Sequence, residues 1–155
     1  MSHPLDALGL SLLLGGAAGP FAGKVVLFVN VASRCGLTPQ YAGLEALWSE
    51  LKGRDFLLVG VPCNQFGAQE PGTPEEITTF CETTFGVDFP LLAKQDVNGP
   101  GRSPLYRHLV GAGGDIQWNF EKFLVGKDGA VLRRFSPTTA PADPGLRAAL
   151  AAALG

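Results

Sequence analysis

Four side chains in three short segments carry the chemistry this sequence offers: Cys35, Gln69 and the adjacent pair Trp118 and Asn119. Cys35 lies between the apolar run Lys24-Val25-Val26-Leu27-Phe28-Val29, which reads as a buried strand, and a helix opening at Thr38-Pro39. Thr38 is the expected cap and Pro39 the expected first helical residue. At such a helix start the dipole and the unpaired N–H groups favour a thiolate, and Arg34 adds a positive charge. A sulfur nucleophile attacking a neutral O–O bond needs a stabilised thiolate and a proton for the departing oxygen. Gln69, Trp118 and Asn119 supply N–H donors that bond a thiolate without adding charge and hold an oxygen in line with the sulfur. Each residue also has a plain structural role open to it. A lone cysteine packs as a small hydrophobe; Gln69 could satisfy its loop, Asn119 could bond backbone, and Trp118 could fill a core.

The elements that must position these groups follow in order. Tyr41, Leu44, Leu47, Trp48 and Leu51 recur at helical spacing, and Gly53 ends that helix. Residues 55–61 (DFLLVGV) form a second apolar strand, so a right-handed parallel βαβ unit is expected. The loop 62–72 leaves the C-terminal end of that strand, where open α/β sheets place their sites. Thr73-Pro74-Glu75-Glu76 is a capping box, opening a helix that carries Ile77, Phe80 and Cys81 and ends near Gly86. Residues 89–92 read as a short extended segment, 96–99 as a turn, and Ser103-Pro104 as the start of a short helix. Strands over 116–125 and 130–135 flank Lys127-Asp128-Gly129 as a hairpin, and Asp143-Pro144 opens an alanine-rich final helix. The result is an α/β domain with a mixed central sheet and helices on both faces.

With 155 residues the chain suits one domain, expected to span 1–155. A net charge of −2 leaves no basic footprint for nucleic acid. The three cysteines, at 35, 63 and 81, form no CxxC, and His3 and His108 lie far apart, which speaks against zinc and against a disulfide-stapled secreted scaffold. Residues 8–18 resemble the apolar part of a signal peptide but lack a positive leader, follow Asp6, and are too short to span a bilayer. They read as a short hairpin or edge segment, and the expected compartment is the cytoplasm.

The blocks NVASRCGLTPQY (30–41), PCNQFGAQEPGTPEEI (62–77), FGVDFP (85–90), DVNG (96–99) and WNFEKFLVGKDG (118–129) resemble the signature blocks of the glutathione peroxidase family. The likeness runs in order from about Gly23 to Pro137. It implies a thioredoxin-like fold and a catalytic tetrad on Cys35, Gln69, Trp118 and Asn119, in the cysteine rather than the selenocysteine version. It also implies that Cys81 is the resolving cysteine of members regenerated by thioredoxin, although a buried helix residue beside Phe80 and Ile77 would look the same. Cys63 reads as structural, with resolution a lesser option. Reaching Cys35 from a helix requires that helix to unwind. Only eight residues separate Leu109 from Trp118, where tetrameric animal members carry an assembly insertion, so a monomer is expected. No Arg/Lys cluster marks a glutathione site, and no metal or organic cofactor is implied.

The leading expectation is a thiol peroxidase that reduces hydrogen peroxide and organic hydroperoxides through a Cys35 sulfenic acid, closes a Cys35–Cys81 disulfide, and is regenerated by thioredoxin. Three alternatives stand beside it: a peroxide sensor that passes oxidation to a partner protein, a one-cysteine peroxidase regenerated by glutathione, and a non-enzymatic binding domain on the same scaffold. A dithiol oxidoreductase is disfavoured because Cys35 has no CxxC partner.

Overall fold

The structure is a computed structural model that describes residues 3–155. Strand β1 (Val25–Val31) is buried along its whole length, and its side chains alternate between two cores. Val25, Leu27, Val29 and Val31 face one layer; Val26 and Phe28 face the other. A central strand covered on both faces has no use for polar side chains, which is why the run is almost unbroken Val, Leu and Phe. Helix α1 (Gln40–Leu51) then returns the chain to β2 (Phe56–Pro62), which pairs in parallel with β1. Strands β3 (Lys122–Val125) and β4 (Val131–Phe135) complete a sheet of order β2-β1-β3-β4, antiparallel from β1 outward.

The first layer packs α1, α2 (Pro74–Phe85) and α4 (Pro144–Leu154) against the sheet. The second is formed by α3 (Pro104–Val110) with the N-terminal segment, whose Leu5 and Phe21 are buried there. That segment makes the expected small hairpin, with a bridge between Ser11 and Ala17 and another from Leu12 to Leu92. Residues 90–92 lie along the outer edge of β2: Gly60 N–H donates to the Pro90 carbonyl at 2.9 Å, and Leu92 N–H donates to Gly60 at 2.8 Å. A Cβ at Gly60 would stand 2.6 Å from the tip of the Leu91 side chain and 3.3 Å from Phe89, so any larger residue there displaces both.

Two local expectations give way. Pro39, not Thr38, occupies the cap position of α1, and no side chain caps that helix. The Thr38 hydroxyl is already engaged behind it, donating to the Ala32 carbonyl at 2.8 Å and accepting from Cys35 N–H at 2.9 Å. The second difference lies ahead of the hairpin. Residues 116–121 are irregular, and the strand begins only at Lys122. Phe120 takes a positive φ of 69°, which no strand accommodates, and its N–H bonds the Asn30 carbonyl at 2.6 Å.

Candidate active site

The Cys35 turn is built by its own backbone. Besides the Thr38 bridge, Thr38 N–H donates to the Cys35 carbonyl at 3.0 Å, closing a tight turn ahead of α1. Cys35 is 8% exposed, and its sulfur accepts one hydrogen bond, from Leu37 N–H at 3.3 Å. That donor belongs to the turn ahead of α1 and not to the helix itself.

The loop after β2 lies beside this turn and is bonded to it residue by residue. Arg34 N–H donates to the Gln69 carbonyl at 3.0 Å, and Ser33 N–H donates to Glu70 Oε1 at 3.0 Å. Within the loop Gly67 and Ala68 both take positive φ, 64° and 51°, a strained reversal for an alanine that brings the chain back toward the sulfur turn. A Cβ on Gly67 would touch both Gln69 Cγ and Trp118 Cη2 at 3.4 Å, so the glycine leaves room where those two side chains meet.

The third segment is the irregular stretch before β3. Asn30, buried at the end of β1, anchors it twice: its Nδ2 donates to the Trp118 carbonyl at 3.1 Å and its own carbonyl takes Phe120 N–H. Glu121 accepts from Gln117 N–H at 3.0 Å and from Arg134 Nε at 2.5 Å. Held this way, Asn119 is fully buried and Trp118 is 38% exposed, packed on Phe66 with ring centroids 5.6 Å apart. Asn119 Nδ2 donates to Gln69 Oε1 at 3.0 Å. That bond uses the Gln69 oxygen and leaves its NH2 as the free, donating end.

Gln69, Trp118 and Asn119 are therefore brought together in one joined group, tied to the Cys35 turn through backbone. None of the three donates to the sulfur, whose bonded N–H comes from Leu37. Sequence reasoning passed over three supporting residues. Asn30 reads as the end of an apolar strand, Glu70 as a loop acid, and Lys122 as a strand residue. Lys122 is in fact fully buried, donating to Gln40 Oε1 at 2.6 Å, the Pro137 carbonyl at 3.1 Å and the Thr139 carbonyl at 2.5 Å. Burial lowers its pKa to about 8. Its signal was a lysine set inside a Phe-rich run, where a charge persists only with partners.

A family model described as glutathione peroxidase matches residues 18–110. The chain belongs to the glutathione peroxidase family. It is 64% identical over 134 residues to the hydroperoxy fatty acid reductase Gpx2 of Synechocystis sp., covering 86% of this chain and 87% of that protein. It is 50% identical over 149 residues to the thioredoxin/glutathione peroxidase BtuE of Escherichia coli, covering 80% and 81%. The crystal structure of Trgpx in apo form superposes with a TM-score of 0.77 at 33% identity, covering 99% of this chain and 97% of that one. The fold is thus the thioredoxin-like α/β fold of this family, and the chain is a peroxidase.

The other two cysteines of this glutathione peroxidase separate cleanly. All three are free thiols. Cys81, on the inner face of α2, belongs to the same core layer as Cys35, whereas Cys63 lies across the sheet in the other layer beside Tyr106. Both thiols are held neutral by burial; that of Cys81 is pushed up to about 11.

Proposed function

We propose that this peroxidase works as a single-domain, two-cysteine enzyme in which Cys35 takes the oxygen, Gln69, Trp118 and Asn119 position it, and Cys81 resolves. The observation that carries the reading is the Asn119–Gln69 bond, which turns the Gln69 NH2 outward as a donor in a group bonded to the sulfur turn. The Cys35 thiolate attacks one oxygen of ROOH; the O–O pair leaves with the other oxygen, which takes a proton to become ROH. Cys35 is left as sulfenic acid. The Cys81 sulfur then displaces that hydroxyl, which departs as water, and a Cys35–Cys81 disulfide forms. Two thiols of a reductant reopen it by exchange, ending as its own disulfide.

What supports Cys81 is its layer and its helix. Cys63 is on the wrong side of the sheet. Helix α2 fully buries only two side chains, Ile77 and Cys81, with Phe80 and Phe85 half-buried against the same core. Open clefts of about 300 Å³ beside Cys81 and about 170 Å³ between Ser33-Arg34 and Ile77-Phe80 flank the helix. Four of its twelve residues are threonines, and Glu82 sits unfavourably near its negative end. Such a helix opens at small cost.

Thioredoxin is proposed as the reductant, hydrogen peroxide and organic hydroperoxides as substrates, the cytoplasm as compartment and a monomer as the working form. The absence of an Arg/Lys cluster in the sequence supports thioredoxin over glutathione. The short 110–117 link supports the monomer. Among the described residues no helix is long and apolar enough to cross a membrane. The deciding experiment couples peroxide consumption to NADPH through thioredoxin and its reductase, and separately through glutathione, for wild type, Cys35→Ser and Cys81→Ser. Fast turnover with thioredoxin, abolished by either change, is expected. Glutathione turnover surviving Cys81→Ser would reduce Cys81 to a packing residue, and a Cys35 that peroxide does not oxidise would sink the assignment of the nucleophile.

A further inference from the structure

Glu70 is an unusual residue to find between two catalytic loops. Its side chain is completely buried, yet it is an acid next to a loop that needs no acid for the proposed chemistry. Oε1 accepts twice from Ser33, from the N–H at 3.0 Å and from the hydroxyl at 2.5 Å, and Oε2 is buried with no partner among the described residues. The Glu70 backbone is pinned as well. Its N–H donates to Asn64 Oδ1 at 2.9 Å, and its carbonyl accepts from Lys94 Nζ at 2.7 Å. One residue earlier, the Gln69 carbonyl accepts Arg34 N–H at 3.0 Å. Residues 33–34 and 69–70 are therefore matched pair by pair, immediately before Cys35 on one chain segment and around Gln69 on the other.

We propose that Glu70 is a positioning residue for Gln69: its carboxylate fixes the Ser33-Arg34 segment against the Gln69 loop and so sets where the Gln69 amide stands relative to the Cys35 sulfur. This rests on the proposed role of Gln69. The backbone pair Arg34–Gln69 alone leaves the loops free to hinge about one bond; the two Ser33 bonds to Glu70 supply the second point that removes that freedom. Burial pushes the Glu70 carboxyl pKa up, while Ser33 and then Lys94 and Arg34 act to keep it ionised. An amide in its place keeps an acceptor for Ser33 but puts an NH2 where Oε2 now lies, buried and without an acceptor, so the loop must shift to satisfy it.

A double-mutant cycle on the full chain tests this, with Glu70→Gln, Gln69→Ala and the pair. Two rates are followed at the Cys35 peptide by mass spectrometry: oxidation by hydrogen peroxide and alkylation by iodoacetamide. Alkylation needs only the thiolate, whereas oxidation also needs the oxygen held in line. Glu70→Gln is expected to slow oxidation tenfold or more and alkylation less than twofold. In the Gln69→Ala background it is expected to add less than twofold. An equal loss in both backgrounds, or alkylation slowed as much as oxidation, overturns the proposal while leaving Gln69 in its role. A Gln69→Ala variant that oxidises at the wild-type rate instead overturns the reading on which it rests. Ser33→Ala, which removes one of the two bonds, is expected to show a smaller loss with the same dependence on Gln69, and it decides the matter if Glu70→Gln does not fold.

Discussion

A single atom of Tyr41 bears on the proposed resolving step. Its ring is buried among Phe85, Phe89 and Phe120, at centroid distances of 5.6, 6.3 and 5.5 Å, so it holds the region where α2 docks. Its hydroxyl neighbours Cys81 but makes no regular hydrogen bond among the described residues. An unpaired buried hydroxyl costs about 1–3 kcal/mol, and that cost is relieved when α2 opens to water. Tyr41→Phe is therefore expected to leave thermal stability unchanged or raise it by up to about 1 kcal/mol, and to slow disulfide formation a few-fold without changing sulfenic acid formation. Stopped-flow oxidation with separate detection of the two steps checks this. The Cys81 thiol gives a pH test. Packed in the core its pKa is about 11, so only about one molecule in ten thousand carries the thiolate at pH 7. If Cys81 attacks from an opened helix, disulfide formation should rise with pH and level off near the ordinary thiol value of about 8.5. A rise continuing toward 11 would mean attack from the packed state. The sign for stability is opposite: the folded pKa is raised, so the contribution of the neutral thiol is intact below the unfolded value and lost as pH climbs toward about 11. At this scale the sequence marked the residues proposed to do chemistry, because Cys, Gln, Trp and Asn beside apolar strands are conspicuous. It did not mark Glu70 or Asn30, whose work depends on partners 37 and 88 residues away.

Helix α2 and the 116–121 stretch divide the work of the elements. The capping box of α2 forms as read, Thr73 accepting from Glu76 N–H at 3.2 Å and Glu76 from Thr73 N–H at 2.9 Å. The other end is capped as well, Gly86 N–H donating to the Glu82 carbonyl at 3.0 Å and Val87 N–H to the Cys81 carbonyl at 3.1 Å, so releasing Cys81 must break that cap. Replacing the exposed Thr79 and Thr84 by alanine should stabilise the helix by about 1 kcal/mol and slow disulfide formation about fivefold, with Cys35 oxidation unchanged. Quench-flow trapping of the sulfenic acid would show it accumulating. The 116–121 stretch is held by the ion pair between Arg134 and Glu121, the latter 2% exposed at its side chain. Arg134→Ala leaves a buried carboxylate unpaired and is expected to cost about 2–3 kcal/mol in urea denaturation, with peroxide turnover lowered as Trp118 and Asn119 lose their support. These elements differ in how openly the sequence states them. The capping box, the Ser103 and Asp143 caps and the strand β1 are local, and they appear where expected. The early end of the hairpin strand is not local: alternation continues through Phe120, but the Asn30 carbonyl pulls that residue out of the pleat. Thr38 likewise reads as a cap until the Ala32 carbonyl and Cys35 N–H compete for its hydroxyl.

For the molecule as a whole, the proposed cycle needs a rigid sheet and one moving part, helix α2 of the first layer. Strands β1, β2 and β3 and helices α1 and α4 bury continuous apolar faces, while α2 contributes two buried side chains to the same layer. Oxidation should therefore remove the far-UV helical signal of one of the four helices and leave near-UV bands from the sheet-facing aromatics largely intact, and reduction should restore it. A peroxide-oxidised protein with an unchanged far-UV spectrum would show that the disulfide closes without unwinding. The pinning of α2 by Ile77 and Cys81 has one more consequence. If Cys81 moves to the Cys35 turn as proposed, Ile77 loses its seat and joins the half-buried Phe80 in an apolar strip that the reduced protein largely conceals. Exposure to oxidant is then stored as topography: a neighbour that recognises only the strip could respond to the recent history of peroxide without handling peroxide or sulfur itself.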